Sequence, residues 1–305
     1  MRWLRMGWGL VREAFGDWSE DKAPRLGAAL AYYTVFSIAP LLLIVIAIAG
    51  MVFGPEAARG QIVAQLETLI GPDAARAVQE MLANAQRPSA GIVATVVGVV
   101  TLLLGASGVF GQLQDALNTV WEVEPKPGRG IMGIVRDRFL SLTMVLGTGF
   151  LLLVSLVLSA VVASAGEVLR GLGPGLEAVG HVVELVISFG VVTLLFAGIF
   201  KYLPDVQIAW RDVWIGAVVT AFLFVVGKVA IGLYLGHASI ASAYGAAGSL
   251  VVLLVWVYYS AQILLFGAEL TQVYANRSGK RVRPAENAVR ITEKDRAEQG
   301  IPRSA

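Results

Sequence analysis

An all-α, polytopic integral membrane protein with six transmembrane helices is the fold class this sequence predicts, and three observations predict it. Six long stretches are almost wholly apolar. The basic residues between them fall heavily on alternate gaps. The composition, 56 % hydrophobic and 15 % charged, departs from soluble proteins, in which charged residues are about a quarter.

The elements follow in chain order. Residues 1–25 form a cytoplasmic segment in which Trp3, Gly7, Leu10, Val11, Ala14, Phe15 and Trp18 recur at helical spacing. Arg2, Arg5, Arg12 and Glu13 lie largely on the other side. This reads as an interfacial amphipathic helix. The membrane domain, residues 26–274, contains spans over Leu26–Phe53, Ala90–Leu113, Phe139–Gly166, Leu185–Phe200, Val213–Leu235 and Gly245–Ala268. A spanning helix needs about 20 apolar residues to cross roughly 30 Å of hydrocarbon. The fourth span reaches that length only with Val182, Val183, Tyr202 and Leu203.

Between the first two spans, residues 54–88 show two helical patterns separated by Gly71-Pro72. Ile62, Leu66, Leu69 and Ile70 mark one apolar face; Ala74, Ala75, Val78, Met81 and Leu82 mark the other. These faces need a partner: the bilayer surface, each other, or the outer mouths of the spans. The later outside segments, Glu167–Gly180 and Gly236–Gly248, are rich in Gly and small residues. Residues 275–305 are a basic cytoplasmic tail with few apolar residues and no helical stripe, and a disordered segment is expected there. A short echo, Phe110-Gly111-Gln112-Leu113 against Phe266-Gly267-Ala268-Glu269-Leu270, leaves open an internal repeat.

Orientation follows from the Lys and Arg residues. With alternating sides, the terminal side collects 19 of the 24: five before Leu26, then Lys126, Arg129, Arg136, Arg138, Lys201 and Arg211, and eight after Tyr274. The other side holds Arg59, Arg76, Arg87 and Arg170, and Lys228 lies within the fifth span. The positive-inside rule therefore predicts both termini in the cytoplasm, N-in and C-in. These basic residues meet anionic lipid at the cytoplasmic leaflet, and no nucleic-acid partner is needed to explain the excess charge. The charged first 25 residues and the long first apolar run argue against a cleavable signal peptide.

Nothing assembles a conventional active site. The chain has no cysteine and two histidines, His181 and His237, neither with an acidic or histidine neighbour at metal-ligand spacing. GxSxG, HExxH and P-loop patterns are absent. No catalytic, metal or cofactor site is expected, and the protein is not read as an enzyme.

The polar residues inside the spans are the candidates for function or for structural pairing. Lys228 sits roughly 10 Å inside the outer end of the fifth span by helix rise, and a charge at the centre of a membrane helix costs about 2.5–3.5 kcal/mol on insertion scales. It either snorkels outward or faces a cavity that binds an anionic group, and Glu184 is the acid close to it in depth. Glu269 lies near the cytoplasmic end of the sixth span, roughly 20 Å of helix rise from Lys228, so those two are not expected to pair. Asp115 lies at a similar level to Glu269, with Gln112, Gln114 and Asn118 around it, suggesting an inner polar cluster closed by Arg25 or another arginine. In the first span Tyr33 and Ser37 precede Pro40, whose missing N–H predicts a kink.

Four blocks carry a resemblance. They are LAYYTVFSIAP (30–40), GASGVFGQLQDALNTVWEV (105–123), YLPDVQIAWRDVWIGAVV (202–219) and SAYGAAGSLVVLLVWVYYSAQILLFGAEL (242–270). In this order they resemble the YihY/BrkB family of bacterial inner-membrane proteins, and Lys228 and the Gly-Ala-Glu ending at Glu269 match its pattern. The resemblance implies a role in the cell envelope, since the family has been linked to serum resistance, to envelope lipid or lipopolysaccharide export and, under an older label, to ribonuclease BN. It carries over no catalytic residue. A nuclease conflicts with the residues, because phosphodiester hydrolysis usually needs metal-binding acids and histidines or a solvent-exposed histidine pair. The expectation is a transporter or flippase-like factor for an amphipathic, anionic envelope lipid. The alternative is a non-catalytic scaffold that docks an envelope-assembly protein partner. The oligomeric state is open.

Overall fold

In the computed structural model the described residues are 2–70, 72–85, 108–127, 143, 147, 176–237, 247–277 and 282–301. The helices are α1 (Arg2–Glu20), α2 (Ala23–Phe53), α3 (Pro55–Ile70), α4 (Pro72–Ala85), α5 (108–120), α6 (Leu176–Tyr202), α7 (Trp210–His237), α8 (Gly248–Arg277) and α9 (Glu293–Glu298). Short strands β1 (Val123–Pro125), β2 (Val206–Gln207), β3 (Arg283–Pro284) and β4 (Ala288–Arg290) complete the described elements.

Four helical stretches among these residues are long and apolar enough to cross a membrane: Ala23–Met51, Leu185–Tyr202, Trp210–Tyr234 and Gly248–Arg277. They coincide with the predicted first, fourth, fifth and sixth spans. The predicted second and third spans lie outside the described residues except for 108–113, 143 and 147. The helix of the predicted fourth span, α6, starts at Leu176, inside the predicted Gly-rich segment Glu167–Gly180. Pro40 lies within an uninterrupted α2.

The crossing of α7 and α8 is a close one. A Cβ added at Gly216 would lie 1.9 Å from Thr271 Oγ1, and one at Gly267 would lie 2.0 Å from Thr220 Oγ1. Each threonine thus caps the other helix's glycine. Each hydroxyl also donates back to its own helix, Thr220 to the Gly216 carbonyl at 2.7 Å and Thr271 to the Gly267 carbonyl at 2.6 Å. The reciprocal Gly-x-x-x-Thr pairs let the backbones approach as small-residue membrane interfaces do. Farther along, Gly227 receives Tyr259 and Ile263, so the two helices run antiparallel. Gly111, the counterpart of Gly267 in the sequence echo, meets no atom within 4 Å.

At one end of the bundle α3 and α4 form a hairpin broken at the Gly71-Pro72 step. Ala58 and Ile62 of α3 and Ala74, Ala75, Val78 and Leu82 of α4 share a core with Leu42, Val45 and Ala49 of α2 and Val252, Leu253 and Val257 of α8. Of the three partners open to these faces, two are therefore found: each other and the span ends. The turn into the hairpin is tight. A Cβ at Gly50 would lie 3.2 Å from the Pro55 backbone, and Gly54 has φ +85°.

The opposite, polar end is built by residues distant in sequence. β1 pairs antiparallel with β4, and β2 with β3. α1 lies against α8 with Ala14 fully buried, while Trp8, Val11 and Phe15 remain exposed, the arrangement of an interfacial helix with a lipid-facing apolar edge. Arg277 ties it down through Glu13. The tail expected to be disordered is instead folded over 282–301. Its order comes from strand pairing and side-chain bonds to residues 21, 122–126 and 205–207, partners that no local periodicity announces.

Candidate functional site

Two features stand out, one in the middle of the bundle and one at its polar end. In the middle, α2, α5, α6, α7 and α8 enclose a cavity of about 360 Å³. Its wall includes Leu30, Thr34, Leu113, Val192, Leu195, Phe224, Trp256, Ser260 and Leu264. A run of edge-packed rings joins three helices along it: Phe196 and Phe224 are 5.8 Å apart and Phe224 and Trp256 are 5.9 Å apart. The Ser260 hydroxyl is already committed to the Trp256 carbonyl at 2.9 Å. The volume lies in the range of roughly 300–1,000 Å³ typical of ligand pockets. The chemistry of the wall suits a hydrocarbon chain.

At the polar end the sequence reading expected a cluster around Asp115. Asp115 is exposed, and the hub is Asp205, in the loop after α6. Asn118 Nδ2 and Gln114 Nε2 donate to its Oδ2 at 3.0 and 3.3 Å, and Asn287 Nδ2 donates to Oδ1 at 2.8 Å. Its own N–H donates to Asn118 Oδ1 at 2.8 Å. Gln114 and Asn118, four residues apart on one face of α5, are the part of the expected cluster that the structure retains. Asp205 lies within the block 202–219, where no local pattern marks it. The legible signal was two amide side chains at helical spacing with no polar neighbour of their own.

Beside this hub lies a second buried group of charges. Arg296 of α9 is 2 % exposed and donates to Asp21 Oδ1 at 2.7 Å, with Glu122 Oε1 at 3.8 Å. Glu269 of α8 is fully buried, and no described group other than an acid donates to its oxygens. Among the described residues, Asp21, Asp17 and Arg296 are charged groups near it, and Asp21 is in hydrogen-bond contact with it. No cluster of three or more His, Asp or Glu among the described residues is arranged to hold a metal ion.

The other expected site residues divide. Ser37 is buried and Tyr33 half-exposed, and both adjoin Gly108, whose added Cβ would meet Ser37 Oγ at 3.4 Å and Tyr33 Cδ1 at 3.7 Å. They are helix-packing residues of α2 against α5. Lys228 is half-buried on α7 and does not line the central cavity. Its neighbour Gly227 stands opposite Tyr259 and Ile263, which puts Lys228 about 9–15 Å of helix rise from Glu269. The two are apart, as expected. The Glu184 side chain lies outside the described residues.

This architecture, apolar helices around a greasy cavity with a folded polar end, defines a multi-pass helical membrane protein. The chain belongs to the virulence factor BrkB family, whose model matches residues 14–292. It is 29 % identical over 264 residues to a UPF0761 membrane protein of Psychrobacter sp. (strain PRwf-1), an alignment covering 86 % of this chain and 47 % of that one. It is likewise 29 % identical over 277 residues to a UPF0761 membrane protein of Pseudomonas aeruginosa (strain LESB58), covering 85 % and 64 %. A relative in Alkalilimnicola ehrlichii is 28 % identical over 286 residues, covering 93 % and 62 %. The chain thus spans about half to two thirds of the length of the curated relatives it matches. No solved structure matches it.

Proposed function

We propose that the protein moves an amphipathic, anionic envelope lipid across or out of the inner membrane, with both termini in the cytoplasm. The observation that carries this reading is the central cavity of about 360 Å³, walled by Leu, Val, Phe and Trp from five helices. A hydrocarbon chain is the ligand such a wall accepts without leaving polar groups unpaired. Since Lys228 is not on this wall, its cation serves the lipid's head group only at the margin of the pathway, by reaching along the helix surface. The protein is proposed to act without covalent chemistry. Its folded C-terminal segment bonds to its own chain, which weakens the scaffold alternative in which a free tail docks a protein partner.

Reconstitution in liposomes tests this by following trans-bilayer movement of labelled anionic and zwitterionic lipids. Val192→Trp, which fills the cavity, is expected to slow movement at least several-fold, and Lys228→Met to slow the anionic lipid more than the zwitterionic one. Folded protein that moves neither lipid, or movement indifferent to Val192→Trp, would overturn the reading.

A further inference from the structure

We propose that Glu269 is a proton-binding site. Its carboxyl takes up and releases a proton, and the change of charge sets how tightly α1 and α9 close over the polar end of the bundle. Four observations lead there. Glu269 is fully buried. No described group of another kind donates to its oxygens, and its hydrogen-bond contact is with a second acid, Asp21, whereas an ionised carboxylate removed from water requires donors or a committed cation. Among the described residues, the charged groups near it are two more carboxylates, Asp17 and Asp21, and one guanidinium, Arg296. That guanidinium is already bonded to Asp21 at 2.7 Å and flanked by Glu122 at 3.8 Å.

The consequence is electrostatic. With the proton on Glu269, the Asp21–Arg296 pair is locally balanced and the two cytoplasm-proximal helices dock. When the Glu269 O–H bond breaks and the proton passes to water, a further negative charge stands beside Asp21 and Asp17, and the nearby guanidinium of Arg296 is already bonded to Asp21. Like charges at close range in a low dielectric repel strongly, and the segments carrying the partners, α1 with its following turn and α9, are the ones able to move. The same movement admits the water that receives the proton. A metal ion is a poorer occupant, because these carboxylates are not arranged as a metal cage. The site stands independently of what the central cavity carries.

Two measurements test it on the full chain in liposomes. Amide hydrogen exchange of α1 and α9 is compared between wild type and Glu269→Gln at each pH, so that intrinsic exchange chemistry cancels. The two should match at low pH, and wild type should exchange several-fold faster as pH rises. Infrared pH-difference spectra should show a buried carboxylic C=O band that Glu269→Gln deletes and Glu269→Asp shifts, a result that needs no change in docking. An exchange ratio that stays at one across the pH range overturns the proposal. So does a carboxylic band that survives Glu269→Gln, or a wild-type response that follows sodium concentration at fixed pH.

Discussion

Asp205 and Glu269 are both carboxyl groups buried at the polar end, 7 % and 0 % exposed, and the fold treats them in opposite ways. Asp205 accepts from three amide side chains contributed by α5 and the C-terminal segment. Glu269 accepts from none among the described residues. A buried charge surrounded by donors is a structural fastener, joining elements that do not touch in sequence. One denied donors and set beside other acids is poised to change its charge, and functional sites collect such groups.

The sharpest way to break this contrast is to remove each carboxyl. Asp205→Ala orphans Gln114, Asn118 and Asn287 together, and each buried donor left without an acceptor costs about 1–3 kcal/mol. A loss of about 3 kcal/mol or more is expected, with the 282–301 segment detaching first. Glu269→Gln keeps a donor facing Asp21 in place of the acid proton and relieves acid–acid repulsion, so stability should change by no more than about 1 kcal/mol in either direction. Thermal unfolding in one detergent reads both. Equal losses in the two variants would erase the distinction.

A smaller effect is expected two residues before Glu269, at the crossing that positions it. Gly267→Ala would drive a methyl group into Thr220, 2.0 Å from its hydroxyl, and overpacking of this kind costs about 1–3 kcal/mol. Gly111→Ala meets open space and should be neutral or stabilising by up to about 1 kcal/mol, the helix-propensity difference. Thr220→Ala in the Gly267→Ala background should recover part of the loss, which chemical or thermal unfolding of the double variant can check. If Gly111 proves as sensitive as Gly267, the two Phe-Gly segments share a packing role after all.

Much of the membrane half of this fold is legible in the chain, and most of the polar half is not. The spans at α2, α7 and α8 announce themselves by sustained apolar length, and the break between α3 and α4 by Gly71-Pro72. Both signals are local. The β1–β4 and β2–β3 pairs consist of strands of two or three residues whose partners lie some 80 or 170 positions away, and a strand that short has no periodicity to read. Asp205 is hidden for the same reason, since its donors come from before α6 and from after α8. Lys228 drew attention as the costliest residue by insertion energy, yet cost alone says nothing about which face of α7 it occupies. Glu269 lies on α8, apart from Lys228 on α7. Its opposition to Asp17 and Asp21 required the docked α1.

The smallest expected effect separates the two acid responses of α9. Thr292 and Asp295 form a capping box at its start, with Thr292 N–H donating to Asp295 Oδ2 at 3.0 Å and Asp295 N–H to Thr292 Oγ1 at 3.3 Å. The bonds from the Thr292 hydroxyl and backbone favour the ionised form and hold the Asp295 carboxyl below the ordinary carboxylate range. The cap therefore contributes in full above the unfolded-chain value of about 3.9 and fades as pH falls through the lower folded value. Protonation of Glu269 acts with the opposite sign, tightening α9 as pH falls. Hydrogen exchange across the α9 amides should consequently show protection rising on acidification and then falling at the most acid end. Asp295→Asn should lower protection at neutral pH slightly and flatten the acid-end fall, while leaving the rise intact. Loss of the rise in Asp295→Asn would assign it to the cap, and the contrast between a fastened and a free carboxyl would then have to rest on Asp205 alone.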